Sequence, residues 1–138
     1  PYNPTWGRLP AQTEVEIQTL KEHIENVLQE TKNEEHKNNL EYLEDTLEFV
    51  LLLDEVGRRL EPAYKLKDIL IVGKPDEEIP TERITAALEA MDKAPLRELF
   101  EVYARRVRSR GELGVLSSLN QKLWQTAVEL KQFLQDRK

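Results

Sequence analysis

Residues 40–60 read LEYLEDTLEFVLLLDEVGRRL, a stretch with no proline and a single glycine, Gly57. Apolar or buried-type positions recur in it at steps of three and four residues, at Leu40, Leu43, Leu47, Val50 and Asp54. Such steps place side chains on one face of an α-helix. Because Leu51, Leu52 and Val56 widen that face, the sequence predicts a long central helix over residues 34–60, contacted on two sides.

A shorter amphipathic helix is predicted before this stretch. Thr13 and Glu16 have the spacing of a capping box, in which each side chain accepts a hydrogen bond from an otherwise unpaired backbone amide. One apolar stripe follows it, formed by Ile17, Leu20, Ile24 and Val27. The sequence therefore predicts a first helix that starts near Thr13.

The first residues contain three prolines, which fix φ and remove amide donors. We expect residues 1–12 to form an extended arm or linker, and residues 13–138 to form one helical domain. Tyr2, Trp6 and Leu9 of the arm have two interpretations. They pack on this domain's own helices, or they dock on a neighbouring domain of a longer chain.

After residue 60, prolines divide the chain into further helices. Pro62 ends the long helix or begins a short one over residues 62–72, although Ile69–Val72 also fits a brief strand. Pro80 opens another short helix, with Ile84, Leu88 and Met91 on one face and Glu82 in its first turn.

Two longer helices are predicted to complete the chain. The first starts after Pro95 and runs to about Arg110, where Gly111 is a natural C-terminal stop. The second starts near Glu112, and its apolar stripe is Leu116, Leu119, Leu123, Ala127, Leu130 and Leu134. The predicted fold class is therefore all-α. We expect an antiparallel helical bundle of about four long helices, with a short helical pair inserted between the second and third.

Composition excludes several kinds of site. The 138 residues include no cysteine, so disulfides, thiolate zinc sites, iron–sulfur clusters and thiol nucleophiles are absent. No apolar run approaches the roughly 20 residues of a membrane span, so we expect a soluble chain without membrane contact. No signal-peptide pattern follows Pro1, and the compartment is not assigned. Because residue 1 is not Met, we expect a processed chain or a piece of a longer one.

The net charge of −6 is placed unevenly. Residues 1–60 contain six Lys and Arg against thirteen Asp and Glu, a net charge of −7. Residues 61–138 have a net charge of +1. An acidic first half disfavours general nucleic-acid binding, because phosphates must be met by clustered cations.

The sequence contains no recognisable catalytic, cofactor-binding or metal-binding pattern. Leu20 and Asn33 stand three residues before His23 and His36, so the Glu-x-x-His motif of bundle metal sites is missing. Nothing assembles a nucleophile, a base and an oxyanion hole. The chain alone is therefore expected not to be an enzyme. Asp54 continues an apolar stripe, and a structural ion pair with Arg58 or Arg59 is favoured over a catalytic acid.

Two kinds of residue are candidates for interaction. The tryptophans Trp6 and Trp124 belong to apolar surfaces that a partner can cover. The basic cluster consists of Arg105, Arg106, Arg108 and Arg110. On a continuing helix these arginines flank Val107. Three binding partners are considered for these arginines: the acidic face of the first two helices, a protein partner, or nucleic acid.

Three functional hypotheses follow. The leading one is a non-catalytic helical module that mediates assembly, either with itself or with the rest of a parent protein. The second rests on residues 108–116 (RSRGELGVL) and 120–124 (NQKLW), which resemble C-terminal regions of carbohydrate-active hydrolases. This resemblance implies an accessory helical domain of a multidomain enzyme such as a glycoside hydrolase, and it assigns no site residue. The third is a nucleic-acid-associated regulator that uses the arginine cluster.

Overall fold

The computed structural model describes residues 8–72, 79–107, 114, 118 and 120–138. The structure is all-helical, and no strand occurs in these ranges. The helices are α1 (Ala11–Glu30), α2 (Glu34–Val72), α3 (Thr81–Asp92), α4 (Leu96–Arg106) and α5 (Thr126–Gln135). A π-helical segment, Asn120–Gln125, leads directly into α5.

Most of the buried side chains belong to one half of the molecule. We call residues 51–72 of α2, together with α3, α4, the π-helical segment and α5, the C-terminal body. Its core contains apolar side chains from every one of these elements, among them Val56, Leu60, Leu66, Ile84, Leu99, Leu123, Leu130 and Leu134. Burial of an aliphatic side chain contributes about 1.5–3 kcal/mol, so this core is the main source of stability.

The other half is α1 with residues 34–50 of α2, which we call the N-terminal hairpin. Of residues 8–52, all of which the structure describes, only Ile24 is buried. The predicted stripe of α1 is therefore wrong in two places, since Leu20 is 45% exposed and Val27 is also exposed. Leu43, which was predicted to lie on the apolar face of the long helix, is exposed as well. An ion pair between Lys21 and Glu48 joins the two helices of the hairpin, and one between Glu14 and Arg58 joins the hairpin to the body, each at 2.6 Å.

The second helix does not end where the sequence predicted. Pro62 lies inside α2, and the helix continues to Val72, so the short helix and the strand expected after residue 60 are both wrong. An interior proline costs about 3 kcal/mol because a helical hydrogen bond is lost. Pro62 itself is exposed, whereas Leu60, Ala63 and Leu66 around it are buried. Core burial on both sides of the proline thus outweighs the lost hydrogen bond.

Helix α1 starts two residues earlier than predicted, and without the capping box. Pro10 occupies the position before the helix, no side chain caps it, and the Glu14 amide donates to the Pro10 carbonyl at 3.0 Å. The prediction for α3 is confirmed, because Pro80 precedes it and Ile84, Leu88 and Met91 are buried.

Helix α4 begins after Pro95 as predicted, but it ends at Arg106 because Val107 is extended (φ −62°, ψ 128°). The predicted continuation to Arg110, with arginines flanking Val107 on a helix, is therefore wrong. In the last helix Leu123, Ala127, Leu130 and Leu134 are buried as predicted. Gly111, Glu112, Leu116 and Leu119 lie outside the described residues.

Candidate functional site

Asp54 lies at the junction of the hairpin and the body, and it is only 2% exposed. One of its carboxylate oxygens accepts from the Leu9 backbone amide at 2.9 Å and from Arg8 at 3.2 Å. Its other oxygen pairs with Arg58 at 2.6 Å. The predicted structural ion pair with Arg58 is confirmed, whereas Arg59 pairs with Glu55. Because both oxygens are engaged, Asp54 is not placed to act as an acid or base.

The same cluster anchors the end of the N-terminal arm. Arg8 donates to Glu61 at 2.6 Å as well as to Asp54. This hydrogen bond from Arg8 is the main reason that the pKa of the Glu61 carboxyl is lowered, with a second contribution from Lys65. The described end of the arm, Arg8 and Leu9, thus packs on this domain's own helix α2. Tyr2 and Trp6 lie outside the described residues.

Two arginines of the basic cluster contact α2. Arg105 binds Asp45 through both its Nε and a terminal nitrogen, at 3.3 and 2.8 Å, and this hydrogen bonding raises its pKa. Arg106 donates to Thr46 and to the Tyr42 hydroxyl, and its guanidinium lies 4.9 Å from the centre of the Tyr42 ring. For Arg105 the structure therefore agrees with contact to the acidic face of the second helix, whereas Arg106 contacts uncharged side chains of that helix. Arg108 and Arg110 lie outside the described residues.

Trp124 borders an apolar groove between the α3–α4 connection and α5. The π-helical segment buries Leu123 and leaves Trp124 38% exposed, with its ring edge-on to Phe100 at a centroid distance of 5.5 Å. One turn further along, Val128 is 58% exposed. The two side chains therefore form an exposed apolar step that extends from the π-helical segment to the start of α5. Segments of π-helix are frequent at functional sites.

The groove beside this step has a volume of about 360 Å³. Its floor is formed by buried core side chains, and its walls include Trp124, Val128 and Leu96; the floor residues are Leu60, Met91 and Ala127. Four charged residues form its rim, namely Asp92, Arg97, Glu98 and Lys131. Lys131 and Asp92 form an ion pair across it at 2.7 Å. The arrangement can accommodate an apolar side chain of a partner, and the rim can orient that partner.

Two further grooves have linings that carry a net charge. The cationic groove, of about 420 Å³, lies between α2 and α3 and is lined by Arg58, Lys65 and Arg83 against one carboxylate, Glu61. The acidic groove, of about 330 Å³, lies between the hairpin and α4. Five carboxylates line it against Lys21 and Arg105, namely Glu44, Asp45, Glu48, Glu98 and Glu101.

In the acidic groove, Glu44 has an unfavourable environment for its negative charge. Partial burial raises the pKa of its carboxyl, and the negative charge of Glu25 raises it further. One carboxylate oxygen of Glu44 is shielded from water and has no hydrogen-bond partner. By contrast, Lys21 donates to Glu48, which raises the lysine pKa.

No metal site or membrane span is found in the part of the chain that the structure describes. Within these ranges, no group of three or more His, Asp or Glu side chains is arranged to hold a metal ion. His23 and His36 are both exposed. Among the described helices, none is both long and apolar enough to cross a bilayer.

Comparison with known proteins finds no match among protein-family models, curated protein sequences or solved structures. Of the described candidate residues, Trp124 is the one that lines the groove between the α3–α4 connection and α5. Leu51–Leu53, the apolar run of the long helix, is half-buried or buried in the body. The groove residues of α3 and α4 were missed, because no local pattern shows which elements meet beside Trp124.

Proposed function

We propose that this chain is a non-catalytic helical module that mediates assembly, and that its docking surface is the groove beside Trp124. One observation carries the proposal: a large aromatic side chain and a valine stand exposed beside a groove whose floor is the domain core. Tryptophan is enriched among residues that dominate binding energy at protein interfaces. A polar rim around an apolar centre is the usual anatomy of such interfaces.

The floor of the groove belongs to the packed core of the domain. Its floor residues come from α2, α3 and α5, and they are part of the same buried core. A docking surface on packed helices requires little ordering when a partner binds, and this lowers the entropic cost of association. We further propose that the helices are arranged as an antiparallel bundle. In support, residues 14 and 21 of α1 pair with residues 58 and 48 of α2, in reverse order along the chain.

The other two hypotheses have less support. Arg105 and Arg106 are hydrogen-bonded to side chains of α2, which leaves less of their charge available to nucleic acid. The accessory-domain hypothesis concerns a parent chain, and it stays a prediction. It also fits the same groove, because a neighbouring domain is one of the partners that the groove can bind.

Photo-crosslinking in cells of the source organism tests the proposal. A benzophenone amino acid replaces Val128 in one variant and Val15 in another, because these valines are equally exposed, at 58% and 57%. Val15 lies on α1, away from the groove. We expect a discrete crosslinked product, identified by mass spectrometry, at position 128 and not at position 15. Equal crosslinking at both positions, or none at position 128, would contradict a docking role for the groove.

A further inference from the structure

The three grooves differ in charge, and this difference bears on which partner the groove beside Trp124 binds. Its rim carries two cations, Arg97 and Lys131, and two carboxylates, Asp92 and Glu98, so the rim is neutral. The cationic groove has an excess of two positive charges. The acidic groove has an excess of three negative charges. A neutral rim is notable in a chain with a net charge of −6.

Two-fold symmetry decides what these charges allow. In a symmetric dimer the same surface patch meets itself, so each residue faces a position of its own patch. A patch with one sign of charge then repels its copy, and like charges across an interface cost several kcal/mol. The cationic and acidic grooves are therefore unsuited to a two-fold contact. The groove beside Trp124 is better suited to one, because its rim carries both signs of charge. Lys131 and Asp92 already pair within the chain, and a rotation can place Arg97 opposite Glu98 of the second copy.

The apolar centre of the patch is formed by Trp124 and Val128. Trp124 and Val128 are four residues apart, which is about 6 Å along a helix axis. They form part of the groove wall and are exposed, so the same two side chains of a second copy can pack against them. We infer that the partner of this groove is a second copy of the chain, docked about a two-fold axis close to Val128. This inference rests on the proposed docking function, and it adds the identity of the partner.

A different self-contact is also conceivable on charge grounds. The cationic groove of one copy complements the acidic groove of the next. When one such contact joins two copies, it is head-to-tail and leads to open chains of molecules unless a ring closes. Because it depends on exposed charges, it weakens strongly with salt. The two arrangements therefore differ in stoichiometry and in salt dependence.

Sedimentation equilibrium of the full chain distinguishes them. The monomer mass is 16.1 kDa. We expect the average mass to rise with concentration and to level off at twice this value. The contact is small, so a dissociation constant in the micromolar range or weaker is expected. Raising NaCl from about 0.05 M to about 0.5 M should change the constant less than about threefold, since the contact is mainly apolar.

Matched variants locate the contact. Val128→Glu should weaken dimerisation at least about tenfold, which corresponds to 1.4 kcal/mol or more. Val15→Glu, an equally exposed change on α1, should leave dimerisation unchanged. Arg83→Glu in the cationic groove should also leave it unchanged, whereas the open-chain arrangement requires it to reduce association. Circular dichroism of each variant confirms that its helices are intact.

The results separate this inference from the proposed function. A monomer at every concentration, or a mass that keeps rising and falls with salt, overturns the second-copy partner. If the isolated chain is monomeric but position 128 crosslinks to another protein, the docking groove stands and only the partner is wrong. If neither self-association nor crosslinking at position 128 occurs, the proposed function fails too.

Discussion

The N-terminal hairpin and the C-terminal body contain similar leucine spacings, yet they are stabilised in different ways. In the body, leucines from several helices meet in one core, and Leu130 and Leu134 are almost completely buried. In the hairpin, Leu20 and Leu43 remain exposed, and Ile24 is the one buried side chain of α1. Ion pairs such as Lys21 with Glu48 occur where the body has apolar contacts.

The difference follows from the number of neighbouring helices. An apolar stripe is buried only to the extent that other elements cover it, and most helical stability comes from such packing. In the body, α2 contacts α3, α4 and α5. Helix α1 has its main contact with α2 alone. Spacing in the sequence therefore predicts a helix in both halves, but it predicts a core in only one of them.

The largest expected effect comes from removing a leucine from each half. Leu130→Ala deletes a side chain that is 1% exposed in the body, and such changes cost about 2–5 kcal/mol. Leu20→Ala, with 45% exposure on α1, should cost less than about 1 kcal/mol. Urea unfolding followed by circular dichroism gives both free energies. Similar losses in the two variants would show that the hairpin and the body are packed alike.

An intermediate effect is expected at Asp54, where hairpin, arm and body meet. Asp54→Asn keeps the shape but removes the charge that Arg8 and Arg58 share. Hydrogen bonds to charged groups contribute about 1.5–3 kcal/mol, so we expect a loss of about 2 kcal/mol.

The same variant should also free the arm, because the Leu9 amide and Arg8 both bind Asp54. Trypsin is then expected to cleave after Arg8 several times faster than in the unsubstituted chain, as measured by the release of residues 1–8 in mass spectra. Glu55→Gln, which breaks the more exposed pair with Arg59, serves as the control and should leave cleavage unchanged. An Asp54→Asn chain with the original cleavage rate would show that the arm is held by other contacts.

The smallest effects are expected from two carboxylates with opposite pKa shifts. The pKa of Glu44 is raised above 4.5 by burial, so its ionisation reduces stability as the pH rises above that value. Glu44→Gln should therefore stabilise the protein at pH 7, by less than about 1 kcal/mol. The gain should disappear under acidic conditions, where Glu44 is protonated in both states.

Glu61 gives the opposite sign. Arg8 lowers the pKa of Glu61, so its contribution is fully present above 4.5 and is lost as the pH falls through the lowered folded value. Glu61→Gln should destabilise the protein at pH 7, by about 0.5 kcal/mol. Thermal unfolding of both variants between pH 3 and pH 7 checks the pair. The same sign for both variants at pH 7 would contradict the described environments.

Local sequence signals predicted much of the fold. Pro80 and Pro95 correctly marked the starts of α3 and α4, since proline favours the start of a helix. Pro62 was misinterpreted because the same residue inside a helix is tolerated when the flanking residues are buried, and burial is a tertiary property. The exposure of Leu20 was missed for the same reason.

The candidate site was predictable only as a residue, not as a surface. Trp124 was identified as a large aromatic side chain of an apolar surface. The floor and rim of the groove also include residues of α2, α3 and α4, such as Leu60, Met91 and Arg97. Their meeting depends on the path of the chain between helices, which periodicity does not encode. The π-helical segment beside Trp124 also has no signature in the helical spacing.

Native-state hydrogen exchange tests the central contrast between hairpin and body most directly. We predict that amides of Val56–Leu66 in α2 and of Leu130 and Leu134 in α5 exchange only through global unfolding. Amides of Ile17–Leu28 in α1 should exchange through a partial opening that costs at least about 2 kcal/mol less, because few apolar contacts must be broken. Equal protection of α1 and α5, measured residue by residue by NMR, would contradict the account.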